Sequence, residues 1–535
     1  MKRRSFLAGA AVPFVGSLFG CDRLGEIQGG FTGISHERGH LLRERKVWPA
    51  PSKLHKTRVV VAGGGVAALA AARALRLRGM DDFALLEIED QAGGNSRGGV
   101  VNGIPCPLGA HYLPVPGDAA VDVQNLLEEL GLRKRVAGRW VYEERHLCHS
   151  PQERLFFNGE WQEGLLPLQG VGRDTLAQYQ RFAALVARAR QSASWSIPTS
   201  HTSPSPFMES LSAISFGSYL AQNGLNDPHL RWYLNYCCND DYGVGVGTVS
   251  AWAGLHYFAS RHGFSAPHQE GGDAAEPADR EGVLTWPEGN GWLTRQLALP
   301  LKDRIQTGRV VMRIAPGKQG VEVDAFNVAT QSVERWQAER CIVALPIFVA
   351  ARVVENPPEF LRLAAARTRY APWLVANIHV RSPLEDRPGA PPSWDNVIHD
   401  AAMPNAHAQN AQGTSLGYVD AMHQSLQSVA GATVLTHYRA LGDLPQGRKL
   451  LMNTPWTDWR DVILADLSRA HPDIAIKATR IDITRYGHAM AVPVPGAGLN
   501  SRLAAAGRLS FAHSDWAGYS VFEEAFTLGQ AAGEA

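Results

Sequence analysis

An α/β fold is predicted for this chain, with strand-and-helix blocks near its start, in its middle and at its end, and a mainly helical region inserted after the first. Three observations predict it. Residues 58–99 read in turn as strand, tight turn, helix and strand; residues 284–350 return to strand-rich sequence; and a last strand with a helix behind it closes the chain from 508 onward. At 535 residues the chain is long enough for two or more domains with cores of their own.

The first piece carries the chemistry. Val59-Val60-Val61 is an apolar β-branched run, Gly63-Gly64-Gly65 turns the chain, and Val66 to Arg78 has helical composition and spacing. Gly63 permits the turn, Gly65 lets the backbone approach a pyrophosphate, and Ala68 fills the third position of G-x-G-x-x-G/A, small enough for close helix–strand packing. The unpaired N–H groups and dipole of the helix N-terminus favour an anion there. A second apolar run, Phe83-Ala84-Leu85-Leu86, ends at Glu87, whose carboxylate can accept hydrogen bonds from ribose hydroxyls and disfavours a 2′-phosphate. Strand, glycine turn, helix and acid together predict a dinucleotide site.

The run from GGGVAAL (Gly63 onward) through LLE to GGNSRGG (Gly93 to Gly99) resembles the N-terminal signature of the flavin-containing amine oxidases, a superfamily that includes monoamine and polyamine oxidases, phytoene desaturases and protoporphyrinogen oxidases. The resemblance implies a Rossmann-like FAD-binding domain, discontinuous, with an inserted α+β substrate domain. It places Gly93 and Gly94 against FAD. Asn95 stands where the family usually has arginine, and Arg97 follows two residues later as the cofactor contact. The glycine turn at Gly109 would pass beside the flavin ring, which makes His111 and Tyr112 catalytic candidates.

Two later stretches extend the likeness. Trp286-Pro287-Glu288-Gly289-Asn290-Gly291, then strands around Val311, Val321–Val323 and Cys341–Pro346, resemble the middle flavin segment; Val311 would face the adenine side, Ala344 would lie near the cofactor, and Asn290 replaces a glycine. Arg508 to Tyr519, then Glu523-Glu524-Ala525 and Gly529, resembles the closing motif, which implies that Asp515 and Gly518 meet the cofactor and that Tyr519 is one wall of an aromatic cage around the amine nitrogen. The opposite wall falls where this chain has Tyr486, His488 and Ala489. In many relatives a lysine in the strand around Trp373–Val380 holds a water near flavin N5, and the apolar alternation puts Ala376 at that place; no lysine occurs from 356 to 448. That favours a dehydrogenase with an electron acceptor other than oxygen. FAD is expected to be non-covalent, because the last block has no cysteine.

The expected organisation is a signal at 1–21, a loosely packed arm at 22–57, an FAD domain made of 58–115, 284–355 and 480–535, and a substrate domain made of 116–283 and 356–479. Asn158-Gly159 between apolar runs predicts a hairpin, and the Gly/Asp/Pro-rich stretch 268–280 a surface loop. Lys2-Arg3-Arg4-Ser5-Phe6-Leu7 resembles a twin-arginine export signal, and Leu18-Phe19-Gly20-Cys21 a lipobox, so a periplasmic protein tethered to the inner membrane through a lipidated Cys21 is expected.

Composition excludes other classes. Lys and Arg number 52 against 51 Asp and Glu, without a basic run, so nucleic acid is not an expected partner. No His/Cys/Asp cluster has metal spacing, and no G-x-S-x-G elbow appears. With a single fingerprint there is no separate nicotinamide domain, so the substrate is itself the reductant. The expected activity is hydride transfer to flavin N5 from a carbon beside an amine nitrogen, in a small amine or polyamine, although no acidic run that would receive a polyamine is visible. The alternatives are desaturation or isomerisation of an apolar substrate, and a flavoprotein with little turnover. Aromatic stripes such as Leu230–Tyr236 and Trp252–Phe258 are expected to be mostly core.

Overall fold

The strand Val59–Ala62 is buried at every position because parallel neighbours flank it on both sides, Phe83–Leu86 and Arg340–Val343. The sheet they belong to has six strands in the order 305–306, 83–86, 59–62, 340–343, 509–511, 504–506, and only its last pair is antiparallel. In this computed structural model the described residues are 26–44, 47–148, 152–261, 263–267, 282–399, 412–423, 430–497 and 503–535. The expected export signal, Cys21 and the expected surface loop 268–280 lie outside them.

The helix Val66–Leu77 packs beneath the C-terminal helix Phe522–Glu534. Their approach is close because Gly529 faces the backbone of Ala67: a Cβ there would lie 2.1 Å from the Ala67 carbonyl oxygen. Ala68 is fully buried, so its part is packing. A four-stranded sheet, Arg309–Pro316, Val321–Asn327, Ser332–Ala338 and Lys53–Lys56, lies beside this layer.

An eight-stranded mixed sheet forms the other half, in the order 28–32, 478–492, 369–380, 433–440, 414–420, 395–398, 153–157, 160–163. Its last two strands are the hairpin around Asn158-Gly159. The helices Arg173–Ser192, Pro228–Tyr242 and Ala251–Ala259 share one apolar core with this sheet, and the aromatics Trp252 and Phe258 sit inside it.

Two expectations about organisation are corrected here. The strand Ala478–Val492 runs in the eight-stranded sheet, so the boundary expected at 480 cuts into a strand of the substrate side. The arm is not a loose tether either. Gln28–Thr32 pairs in parallel with Arg480–Thr484, and Lys53–Lys56 with Glu334–Gln337, so the arm supplies an edge strand to each of two sheets. Its glycines hid this. Gly29, at φ +143°, is where a Cβ would meet the Ile481 carbonyl oxygen at 1.9 Å, so only glycine allows the strand to seat.

Candidate flavin and substrate site

The glycine turn crosses the end of the central strand without room for side chains. Gly63 has φ +106°, and a Cβ on it would lie 2.2 Å from the Ala344 carbonyl oxygen; Ala344 in turn donates its N–H to Ala62 at 2.8 Å. Gly65 opens the helix Val66–Leu77, and the nearest atom to a Cβ on it is Gly94 Cα, 3.9 Å away. The Gly93 N–H donates to the Gly64 carbonyl at 2.7 Å, which ties the second glycine doublet to the first turn. Gly63, Gly65 and Gly94 each keep part of their surface accessible.

Glu87 lies against this turn, 5 % exposed, so near that a Cβ on Gly64 would sit 2.3 Å from Oε2. It accepts the Glu89 N–H at 2.9 Å, and burial pushes its pKa up to about 7. Arg309 N–H donates to the Glu87 carbonyl at 2.8 Å, which brings the strand of Val311 alongside, with a register shift between Val311 and Arg313. These residues fit the adenosine diphosphate half of FAD. Backbone amides at a helix N-terminus are open to an anion, a buried carboxyl receives only backbone donors, and an accessible glycine cradle has no space for a side chain at Gly63 or Gly64.

The turn that leads to His111 and Tyr112 is held carbonyl by carbonyl. Pro107 O accepts Asn377 Nδ2 at 3.0 Å, Leu108 O accepts the Tyr486 hydroxyl at 2.7 Å, and Gly109 O accepts the Tyr438 hydroxyl at 2.9 Å. Asn290 completes the row, donating its N–H to Ala110 O at 3.0 Å and Nδ2 to Tyr112 O at 2.8 Å. A Cβ on Gly109 would lie 2.2 Å from the Asn95 carbonyl oxygen, and Asn95 itself donates Nδ2 to Ala489 O at 2.8 Å. Asn95 and Asn290, which depart from the family pattern, therefore fasten this turn.

The strand Arg369–Val380 corrects one alignment. Ala376 shares a core with Leu374 and Ile378, while Trp373 and Val375 belong to the core on the opposite face. Side chains alternate along a strand, so the residue that reaches the turn is the next one, Asn377. Apolar alternation alone gave the register one residue too early.

The four expected catalytic residues fall into three groups. His111 has ring contacts with Tyr112, Trp394 and Tyr438 at centroid distances of 4.9, 5.4 and 4.5 Å, and burial lowers its pKa to about 3. His488 stacks on Phe348 at 4.4 Å, meets Arg448, and is lowered to about 4 by burial and then by the Arg448 charge. Tyr519 is 0 % exposed; its hydroxyl donates to Asp241 at 2.7 Å and accepts from Arg261 at 2.7 Å. A cage wall must present surface to its guest, and Tyr519 presents none. The expected cage residue is a buried member of the Asp241–Arg261 network.

Two expected cofactor contacts are likewise engaged by protein. The Asp515 carboxylate accepts the Ile347 N–H at 3.0 Å and the Tyr370 hydroxyl at 2.6 Å, with His513 Nδ1 3.1 Å away. Burial raises its pKa, but His513 and these donors outweigh that and leave it below the usual carboxylate value. Arg97 donates to Gly94 O at 3.1 Å and Gly33 O at 2.8 Å, so it braces the doublet loop against the arm. Gly518 adopts φ +65° at the end of the turn that carries Asp515.

One group was missed from sequence. Asp240, Asp395 and Glu153, from the helix Pro228–Tyr242 and the strands Asp395–Ile398 and Glu153–Phe157, act on one another, and Asp240 and Asp395 act on both Tyr112 and Tyr236. Burial, then Asp241 and Glu153, push Asp240 up to about 7 against the pull of Arg261, while burial, Asp240 and Glu153 push Asp395 well above the carboxylate range, although the Tyr236 hydroxyl bonds Asp395. No hydrogen-bond donor among the described residues reaches Asp240. His111, Tyr112, Asp240 and Asp395 are partly buried and each keeps some accessible surface. The only sequence signal was the acidic doublet Asp240-Asp241 inside an aromatic helix.

Comparison with known proteins agrees with this architecture. The fold resembles putrescine oxidase bound to putrescine (17 % identity, covering 90 % of this chain and 98 % of that one, TM-score 0.65). It also resembles cyclohexylamine oxidase from Brevibacterium oxydans (16 %, 89 % and 98 %, 0.61) and a fatty acid isomerase from P. acnes that produces CLA (16 %, 89 % and 97 %, 0.58). Against curated proteins the sequence has no significant match. The profile of the flavin containing amine oxidoreductases matches residues 67–534, nearly the whole described chain. With the glycine cradle, Glu87 and the two sheets in place, this chain belongs to the flavin-containing amine oxidoreductase family and is an FAD-dependent oxidoreductase.

Proposed function

We propose that the protein oxidises a small amine carrying a second cationic group, of the diamine or polyamine type. The observation that carries this reading is the enclosed carboxylate set, Asp240 and Asp395 with Glu153, beside Tyr112. Buried carboxylates that raise one another's pKa are relieved by a bound cation, and aromatic rings beside them stabilise the same charge through their faces. Tyr112, Trp394 and Tyr438 supply those rings. Arg261, paired with Asp241 at 3.1 Å, is the buried cation that already acts on Asp240 and Tyr112, and His111, kept neutral by burial, adds no second one.

Bound FAD supplies the acceptor for the hydride that leaves the carbon beside the amine nitrogen, and water hydrolyses the resulting imine. The chain's own residues bind and orient. The reacting nitrogen must be neutral when the hydride leaves, and Asp240, poised near 7, is the group that takes its proton. Asp395, fixed by Tyr236, holds the distant cation. The turn bearing Tyr112 is fastened by Asn290, Asn377, Tyr438 and Tyr486, so the reacting carbon is held against a rigid surface.

Asn377, and not lysine, reaches this turn, which supports an electron acceptor other than oxygen. Export by the twin-arginine route with a lipid tether at Cys21 belongs to the same reading; radiolabelled palmitate incorporation that is lost in Cys21→Ser tests it.

The deciding experiment is anaerobic addition of amines to the FAD-loaded protein. Bleaching of the oxidised flavin band by 1,4- or 1,5-diamines, faster than by monoamines of equal length, is expected. No bleaching across a broad amine panel, with bleaching by an apolar polyene, would replace this reading with desaturation.

A further inference from the structure

The arm crosses from one sheet to another over the loop that follows Glu87. Ser35 donates its N–H to Glu89 Oε1 at 3.0 Å, and Arg38 donates Nη1 to Ile88 O at 2.9 Å while its Nη2 pairs with Asp90 at 2.8 Å. From the opposite side, Arg97 spans Gly94 O and Gly33 O, with Glu89 3.8 Å from its other nitrogen. Leu41 and Leu42 of the helix His36–Glu44 and Trp48 beyond it share an apolar cluster with Ile88, Val310 and Phe326. Residues 33–44, with Trp48, thus touch the acid loop, the glycine-doublet loop and the strand of Val311 at once.

Glu89 is the link. Its carboxylate is held by the Ser35 N–H, and its own N–H holds Glu87 Oε1 at 2.9 Å. The arm therefore reaches the ribose-binding carboxyl through one residue. Between the arm's far strand, Lys53–Lys56, and its start, the stretch 28–44 is held by one edge strand of five residues, the Arg485 guanidinium over the Phe31 ring at 3.6 Å, Arg352 Nε donating to Leu42 O at 2.8 Å, and the contacts above. Edge strands with few apolar contacts open more readily than the core.

We propose that residues 28–44 are a strap that closes over the adenosine end of FAD, with Ser35, Arg38 and Arg97 as positioning residues acting through Glu89 and Gly94. FAD binds before the strap seats, and it leaves only when the strap opens. This does not depend on the amine reading, since it concerns how the cofactor is kept and not what reduces it.

The test is release of FAD from the purified holoenzyme into an excess of an unrelated apo-flavoprotein, followed by flavin fluorescence. Arg38→Ala, which loses the Ile88 and Asp90 contacts, and Gly29→Val, which prevents the strand from seating, are each expected to release FAD at least tenfold faster than wild type; Arg38→Lys should recover part of the retention. Hydrogen exchange adds a readout that needs no variant: amides of residues 29–38 are expected to exchange faster in the apoenzyme than in the holoenzyme. Release within twofold of wild type in Arg38→Ala, or arm amides indifferent to FAD, overturns the proposal. If Gly29→Val does not fold, Arg38→Ala and the exchange measurement decide it.

Discussion

Asn377 donates its side-chain amide to the Pro107 carbonyl at 3.0 Å and accepts the Thr436 hydroxyl at 2.8 Å, so a single buried residue of the eight-stranded sheet fixes the start of the turn that bears His111 and Tyr112. Asn377→Leu keeps the volume but leaves the Pro107 oxygen and the Thr436 hydroxyl without partners. Unpaired buried polar groups cost about 1–3 kcal/mol each. The expected outcome is a lower urea midpoint and slower anaerobic flavin reduction by a reactive amine, measured on the same preparation.

Asp240→Asn should weaken diamines selectively. Loss of one buried charge from a charge pair costs about 2 kcal/mol, roughly thirtyfold in affinity. In wild type, Asp240 ionises near 7, so the apparent second-order rate of flavin reduction by a diamine should rise as pH increases through 7. That inflection should be absent in the variant. A profile identical to wild type would remove Asp240 from the reaction.

Tyr519→Phe separates the buried network from a cage. The variant keeps the ring but strips Asp241 and Arg261 of their shared hydroxyl partner. A melting temperature lowered by the loss of about 1–3 kcal/mol is expected. The ratio of diamine to monoamine reduction rates should stay as in wild type. A changed ratio would mean that Tyr519 meets substrate after all.

Glu524 carries a pH signature. It is 1 % exposed, accepts the Thr199 N–H at 2.5 Å, and is pushed up to about 7 by burial from a usual 4.5. The folded chain therefore holds this proton between about 4.5 and 7, where the unfolded chain has lost it. Its contribution is fully present below 4.5 and is lost as pH rises through 7, by on the order of 3 kcal/mol. Buried neutral histidines act in the opposite sense, so wild type and Glu524→Gln are compared at each pH. Relative to wild type, the Gln variant should gain melting temperature from pH 5 to pH 8.

Much of the cofactor half was legible because its residues are local. Val59 to Glu87 holds strand, glycine turn, helix and acid within one stretch, and each residue type states its own backbone requirement. The substrate side was not legible in the same way. Asp240 and Asp395 act on each other's charge across 155 positions, and nothing in either neighbourhood announces the other. Tyr519 matched a motif by spacing, yet its surroundings come from the helix of Asp241 and from Arg261, which no local pattern reports. Ala376 and Asn377 differ by a single step of alternation, which strand periodicity sets only when the opposing core is known.

The strand Val59–Ala62 has neighbours at 83–86 and 340–343, and the latter needs 509–511 beyond it; the arm at 28–32 waits for 478–492. Nearly all of the polypeptide must therefore have left the ribosome before either sheet can be finished. Synthesis cannot deliver this molecule one half at a time: a nascent chain carries unfinished sheet edges for most of its length.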